Sequence, residues 1–155
     1  MNVEFVHRSG RLKIATVCSL VFVACSANPV APEPIFTELQ AAPTAATVAG
    51  MRVELQVALW RNFQPIVPPD GSPLIVSVRL PPSTTGISID RIWVLFGDQV
   101  WSGTPEQNPG SAEWVARDGP KWGPNVTVDV VARLNATGSP RQLVRAAGQP
   151  INAVF

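Results

Sequence analysis

Histidine, cysteine and tyrosine are almost missing from this chain: its 155 residues include one histidine, two cysteines and no tyrosine. The histidine is His7 and the cysteines are Cys18 and Cys25, so nothing after Cys25 can supply an imidazole or a thiolate. That excludes Ser-His-Asp and Cys-His nucleophilic catalysis, and also zinc sites built on His and Cys. Lys121 is the one lysine beyond Lys13, and it stands in the Gly/Pro-rich run DGPKWGP at 118–124. A solvated lysine stays protonated and cannot serve as the base of a Ser-Lys dyad. Charge is scarce as well, at 15% of residues and a formal net of +1. Nucleic-acid binding needs a large basic surplus, so no nucleic acid is expected as partner.

The same scarcity extends to cofactor motifs. No glycine-rich run has dinucleotide or nucleotide-phosphate spacing, and Asp70-Gly-Ser lacks the alternating acidic ligands of a calcium loop. No cofactor and no metal is expected. Asp70, Asp90, Asp98, Glu106, Glu113 and Asp118 lie at or near turn signals. They read as solvated turn and cap residues, the alternative being that two meet across a cleft as in a glycosidase. The first reading makes the protein a non-enzyme.

One long apolar run is present, and it lies near the start. Arg8, Arg11 and Lys13 precede the uncharged stretch 14–24, and small residues follow. Eleven residues of helix rise only about 16 Å, half of a bilayer's hydrocarbon, so the pattern is that of a secretory signal over residues 1–24 and not of a spanning helix. Phe22-Val23-Ala24-Cys25 resembles the lipobox of bacterial lipoproteins, with Phe22 where Leu is usual. The resemblance implies cleavage before Cys25, a diacylglycerol thioether on Cys25 and a membrane anchor. Ser26 follows the cysteine in place of the Asp that marks inner-membrane retention. In a cell with two membranes, this implies the periplasmic face of the outer membrane. With Cys18 removed and Cys25 alkylated, no disulfide remains in an oxidising compartment.

Residues 25–49 contain Pro29, Pro32, Pro34 and Pro43 among small residues, which predicts a flexible to semi-extended tether. Ile35, Phe36 and Leu39 are its apolar exceptions, suited to docking on the domain or lying near the membrane surface. From residue 50 onward the hydrophobic period is two. Strands are predicted over 51–59, 74–80, 91–97, 99–101, 112–117, 125–134, 141–145 and 151–155, separated by Pro/Gly/Asn/Asp clusters. The even apolarity of RIWVLF at 91–96 predicts a central strand buried on both faces. Many short strands without intervening helical periodicity predict an antiparallel β-sandwich or barrel of seven or eight strands over 50–155.

This stretch resembles a bacterial immunoglobulin-like or fibronectin type III-like domain, on its strand order, on Trp93 within RIWVLF and on the hairpin VDVVARL…RQLVRAAG. The resemblance implies that Trp93 packs between the sheets. The inter-sheet cysteines and the corner tyrosine of that family are missing here, and Trp122 stands where it could fill the corner.

Five tryptophans remain to be placed. Trp60 and Trp93 are assigned to the core. Trp101, Trp114 and Trp122 fall at strand ends or in loops, near Asp98 and Gln99, and form a candidate binding surface, since aromatic rings beside amides and carboxylates stack on sugars or anchor protein interfaces. Packing over the ends of the sandwich, or a Trp101–Trp114 cross-strand pair, are the competing readings. The expected protein is a lipid-anchored, non-enzymatic cell-envelope module that binds another protein or serves as an accessory or structural subunit. The alternative is a glycan-binding module using Trp101, Trp114 and nearby carboxylates.

Overall fold

A computed structural model of the chain describes residues 32–155; the expected signal segment 1–24 and Cys25 lie outside the described residues. The protein is all-β apart from one short helix. In chain order the elements are α1 (Phe36–Ala41), β1 (Ala46–Val48), β2 (Met51–Val53), β3 (Gln56–Asn62), β4 (Leu74–Arg79), β5 (Ile87–Phe96), β6 (Gln99–Gly103), β7 (Glu106–Gln107), β8 (Glu113–Gly119), β9 (Thr127–Ala136) and β10 (Gln142–Val154). Strands β1 and β2 form a small hairpin, and the other eight are hydrogen-bonded in the order β6-β5-β9-β10-β3-β4-β8-β7.

Strand β10 turns this ladder into two layers. Its first part pairs antiparallel with β9, and after a bulge between Ala146 and Gln149 its last residues pair with β3. Gly148 sits in the bulge at φ 63°, with its N–H donated to Asp129 Oδ1 at 2.8 Å. The layers β6-β5-β9-β10 and β10-β3-β4-β8-β7 share β10 and pack as a β-sandwich. One pairing departs from the antiparallel expectation: β10 and β3 run parallel, Ile151 opposite Leu59 through Val154 opposite Asn62. Alternation fills the space between the layers. Leu59, Val76, Val78, Ile92, Val130 and Ala132 are all essentially inaccessible and belong to one cluster.

The run 51–59 is not one strand. It breaks after Val53, so that β2 turns back on β1 while β3 joins the main sheet. The predicted strands 141–145 and 151–155 are instead one, β10, because the bulge at Gly148 bends the strand without ending it.

The compact unit begins at Glu33 and not at residue 50. Pro34 and Pro43 bracket a six-residue helix whose Phe36 and Leu39, with the C-cap Ala42, recur at spacing three. Six residues are too few for a helix to persist alone, so packing must hold it. Leu39 and Ala42 are buried with Trp93, Leu95 and Val131, and Phe36 and Leu143 pack alongside. Docking on the domain is thus what Phe36 and Leu39 do, while Ile35 stays exposed. The hairpin that follows sends Val48 and Val53 into the inter-sheet cluster.

Candidate binding surfaces

Trp93 is a core residue, as expected, but not between the sheets, and Trp60 is not a core residue. Trp93 is buried, but it points away from the partner sheet: Ile92 and Val94 face the inter-sheet cluster, and Trp93 and Leu95 face α1. The expectation that β5 is buried on both faces holds, and the helix is what covers the second face. Trp60 alternates with the buried Leu59 and Arg61, so it stands half-buried on the outer face of the other sheet. The core position goes to Trp114, 5% exposed within the inter-sheet cluster, with Trp101 and Trp122 packed partly buried against that cluster.

The residues of the candidate surface are therefore divided. Trp101 occupies an inward position of β6, and its ring lies so close to Gly103 that a Cβ there would fall 2.7 Å from it. It is paired with Val94, and Trp114 with Val78 and Gln107, so the two tryptophans are not a cross-strand pair. Trp122 Nε1 donates to Gln99 Oε1 at 3.0 Å and its ring lies 5.5 Å from that of Phe96. Gln99 and Trp122 thus meet at the end of the sandwich where β5 turns into β6, and Asp98 is exposed in that turn. Trp114 belongs to the opposite end, near Ile87 where β5 begins.

At that opposite end a groove of about 390 Å³ opens between the loops 81–87 and 107–112, with Trp114 among its lining residues. It contains no ionisable side chain; its lining includes the hydroxyls of Thr84, Thr85 and Ser111 and the amide of Gln107. Gln107 Nε2 already donates to Ser111 O at 2.9 Å, and Thr84 Oγ1 donates to Pro81 O. The groove has shape and no acid–base equipment.

Three of the six candidate carboxylates, Asp70, Asp90 and Glu113, are engaged with donors. Lys121 Nζ lies 2.6 Å from Asp70 Oδ2, and this hydrogen bond, more than any other effect, holds the Asp70 carboxyl below its ordinary range. Glu113 accepts from Ser77 Oγ and from Asn108 Nδ2, and those bonds, the first the larger, likewise lower its pKa. Asp90 joins Arg133 at 2.7 Å and Arg141 at 3.4 Å. Among the described residues, no group of three or more His, Cys, Asp or Glu side chains could hold a metal ion.

Arg61 was not singled out by the sequence, though its parity carries the signal. Val57, Leu59 and Arg61 fall on the same side of β3, so the guanidinium enters the end of the core and is 3% exposed. Its Nε donates to Ser72 O at 2.8 Å, Nη1 to Lys121 O at 3.0 Å and Gly123 O at 2.6 Å, and Nη2 to Asp70 O. Four carbonyls from two loops thus converge on one cation. Phe63 stacks 5.0 Å from the guanidinium, and its ring occupies the space where a Cβ on Gly71 would lie, so Gly71 (φ 79°) must be glycine. The pin joins loop 62–73 to loop 119–125, which carries Trp122.

Arginines also crowd the face under α1. Arg91 is opposite Arg133 across β5 and β9, and Arg145 is opposite Val131 across β10 and β9. Arg133 lies over the Trp93 ring at 5.4 Å. No family model matches the chain, and no curated protein matches it. Fold and surfaces together describe a β-sandwich with an uncharged groove at one end, a pinned loop pair at the other, and a helix-covered face between.

Proposed function

We propose that the protein is a lipid-anchored, non-enzymatic module of the bacterial cell envelope whose β-sandwich binds another macromolecule, most simply a protein. The observation that carries the proposal is Cys25: it follows Phe22-Val23-Ala24 at the end of an apolar run that begins after Arg8, Arg11 and Lys13. An alkylated Cys25 with more than one acyl chain holds a protein on a membrane where one chain would be marginal. Ser26 favours the outer membrane's periplasmic face in a cell with two membranes. The engagement of Asp70, Asp90 and Glu113 with cationic or neutral donors supports a binding role over carboxylate-pair catalysis. Cys25→Ser, followed by labelling with a clickable fatty acid and cell fractionation, tests it. The variant should lose the label and leave the membrane fraction; equal membrane association would refute the anchor.

A second reading, glycan binding, is favoured by the groove near Trp114, whose size suits a small saccharide and whose lining is uncharged. It would act through groove hydroxyls and amides more than through ring stacking, because Trp114 is 5% exposed. Glycan-array binding that Ser111→Tyr abolishes would establish it, and an array without hits would end it.

A further inference from the structure

The face beneath α1 has the make-up of a recognition surface, and the segment covering it fits it incompletely. Trp93, Leu95, Val131 and Leu143 form the apolar centre, and Arg91, Arg133 and Arg145 surround it. Tryptophan and arginine are the residues most enriched at binding hot spots. Arg133 Nη1 and Arg145 Nε are buried and have no hydrogen-bond partner among the described residues. Buried orphan donors in a folded protein call for an explanation.

The covering strap supplies little to satisfy them. Of its two acidic residues, Glu33 reaches Arg91 at 3.1 Å, whereas Glu38 accepts from its own helix's Ile35 N–H at 3.1 Å. Toward β10 the strap accepts one hydrogen bond, from Arg145 N to Pro43 O at 2.8 Å. Its helix is a single short amphipathic turn-and-a-half, presenting Phe36, Leu39 and Ala42.

We propose that this face is a docking site for an acidic amphipathic helix of a partner protein, and that residues 33–45 occupy it in cis as a weak self-ligand. The partner would place apolar side chains at the spacing of Phe36, Leu39 and Ala42, and carboxylates against Arg133 Nη1 and Arg145 Nε. Binding is then helix-in-groove, with the strap as competitor at the high effective concentration of a tethered segment. The site needs no lipid anchor, so its failure and the failure of the anchor are separate results.

A fluorescent peptide of residues 33–45 serves as probe, added in trans to the full chain and to its Leu39→Asp variant, with binding read by anisotropy. The freed face of Leu39→Asp should bind the peptide at least about ten-fold tighter than the parent, whose own strap competes. Binding should weaken as NaCl rises from about 50 to 500 mM, and Arg91→Gln, which removes the partner of Glu33, should reduce it about three-fold in the same background. Equal affinity for parent and variant, or no binding to a folded variant, overturns the proposal. Folding is verified by far-UV circular dichroism and a cooperative urea transition, and Phe36→Ser, at the half-buried rim, replaces Leu39→Asp if that chain does not fold. A parent chain that dimerises by exchanging straps would assign the face to a second copy and overturn the partner reading.

Discussion

Replacing Arg61 by alanine should cost the sandwich a large part of its stability. The guanidinium is 3% exposed and gives hydrogen bonds to Ser72, Lys121, Gly123 and Asp70 carbonyls. A hydrogen bond to a charged group contributes about 1.5–3 kcal/mol net, so four would give roughly 6–12 kcal/mol. Several kcal/mol of that are offset by desolvating the cation itself. Alanine removes the cation and leaves four carbonyls facing a void, some of which water can reach because they belong to loops. The expected net loss is about 3–5 kcal/mol, against a total of about 5–15 kcal/mol for a domain. Arg61→Lys should recover less than half, because one ammonium cannot span four carbonyls on two loops. Urea unfolding followed by tryptophan fluorescence measures the difference, with an unchanged m-value if the folded state stays compact. Hydrogen exchange should speed first in loops 62–73 and 119–125. Arg61→Met is the decisive variant, since it preserves volume and removes every donor. If it is within about 0.5 kcal/mol of the parent, the carbonyls do not depend on the guanidinium and the reasoning fails.

Other substitutions separate inward from outward rings. Trp114→Ala should cost about 3–5 kcal/mol in the same unfolding assay, and Trp60→Ala about 1 kcal/mol or less, the reverse of what a core role for Trp60 requires. Ala49 and Gly50 are the central pair of the β1–β2 turn and both have positive φ, 48° and 79°; Ala49→Asn gives the pair a type I′ turn favours and should raise stability by about 0.5–1 kcal/mol in thermal melts. Glu113 has its carboxyl pKa lowered from an ordinary 4.5 by Ser77 and then Asn108. A depressed carboxyl pKa stabilises the fold above the unfolded value and ceases to do so as pH falls through the folded one. Stability should therefore decline on acidification below 4.5, and Glu113→Gln should make unfolding less steeply pH-dependent there.

The sandwich was legible because alternation is a local signal: Leu74, Val76, Val78 and Leu80 declare a strand and its inner face without reference to any neighbour. What alternation cannot declare is which elements cover the outer faces. The family resemblance alone puts Trp93 between the sheets; Phe36 and Leu39 stand out as docking residues, but the six-residue α1 in a proline-rich run is too short to register as helical periodicity or to show which face it covers. Trp60 was misplaced for a related reason, since following the parity of Val57 and Leu59 would have put Arg61 inside and Trp60 outside. A buried arginine runs against residue preference, and only the four carbonyls supplied by distant loops make it tolerable. The groove was illegible altogether, because it arises where two loops separated in sequence face each other. The sequence puts Trp101, Trp114 and Trp122 at strand ends or in loops without saying which end of the sandwich each occupies, and the rings of Trp101 and Trp122 pack against Gly103 and Phe96.

Strand β10 imposes an order of assembly. Leu59 and Ile151, about ninety residues apart, are neighbours in the parallel pairing, and the same strand completes the edge of β9. Until residues 142–154 are in place, β3 and β9 both present open edges, and neither layer can close on the other. Such long-range closure makes folding slow, and unpaired edges in the waiting chain invite pairing with other molecules. A chain lacking β10 would therefore keep two sticky edges instead of forming a smaller sandwich, and a newly made chain gains protection only when residues 142–154 arrive.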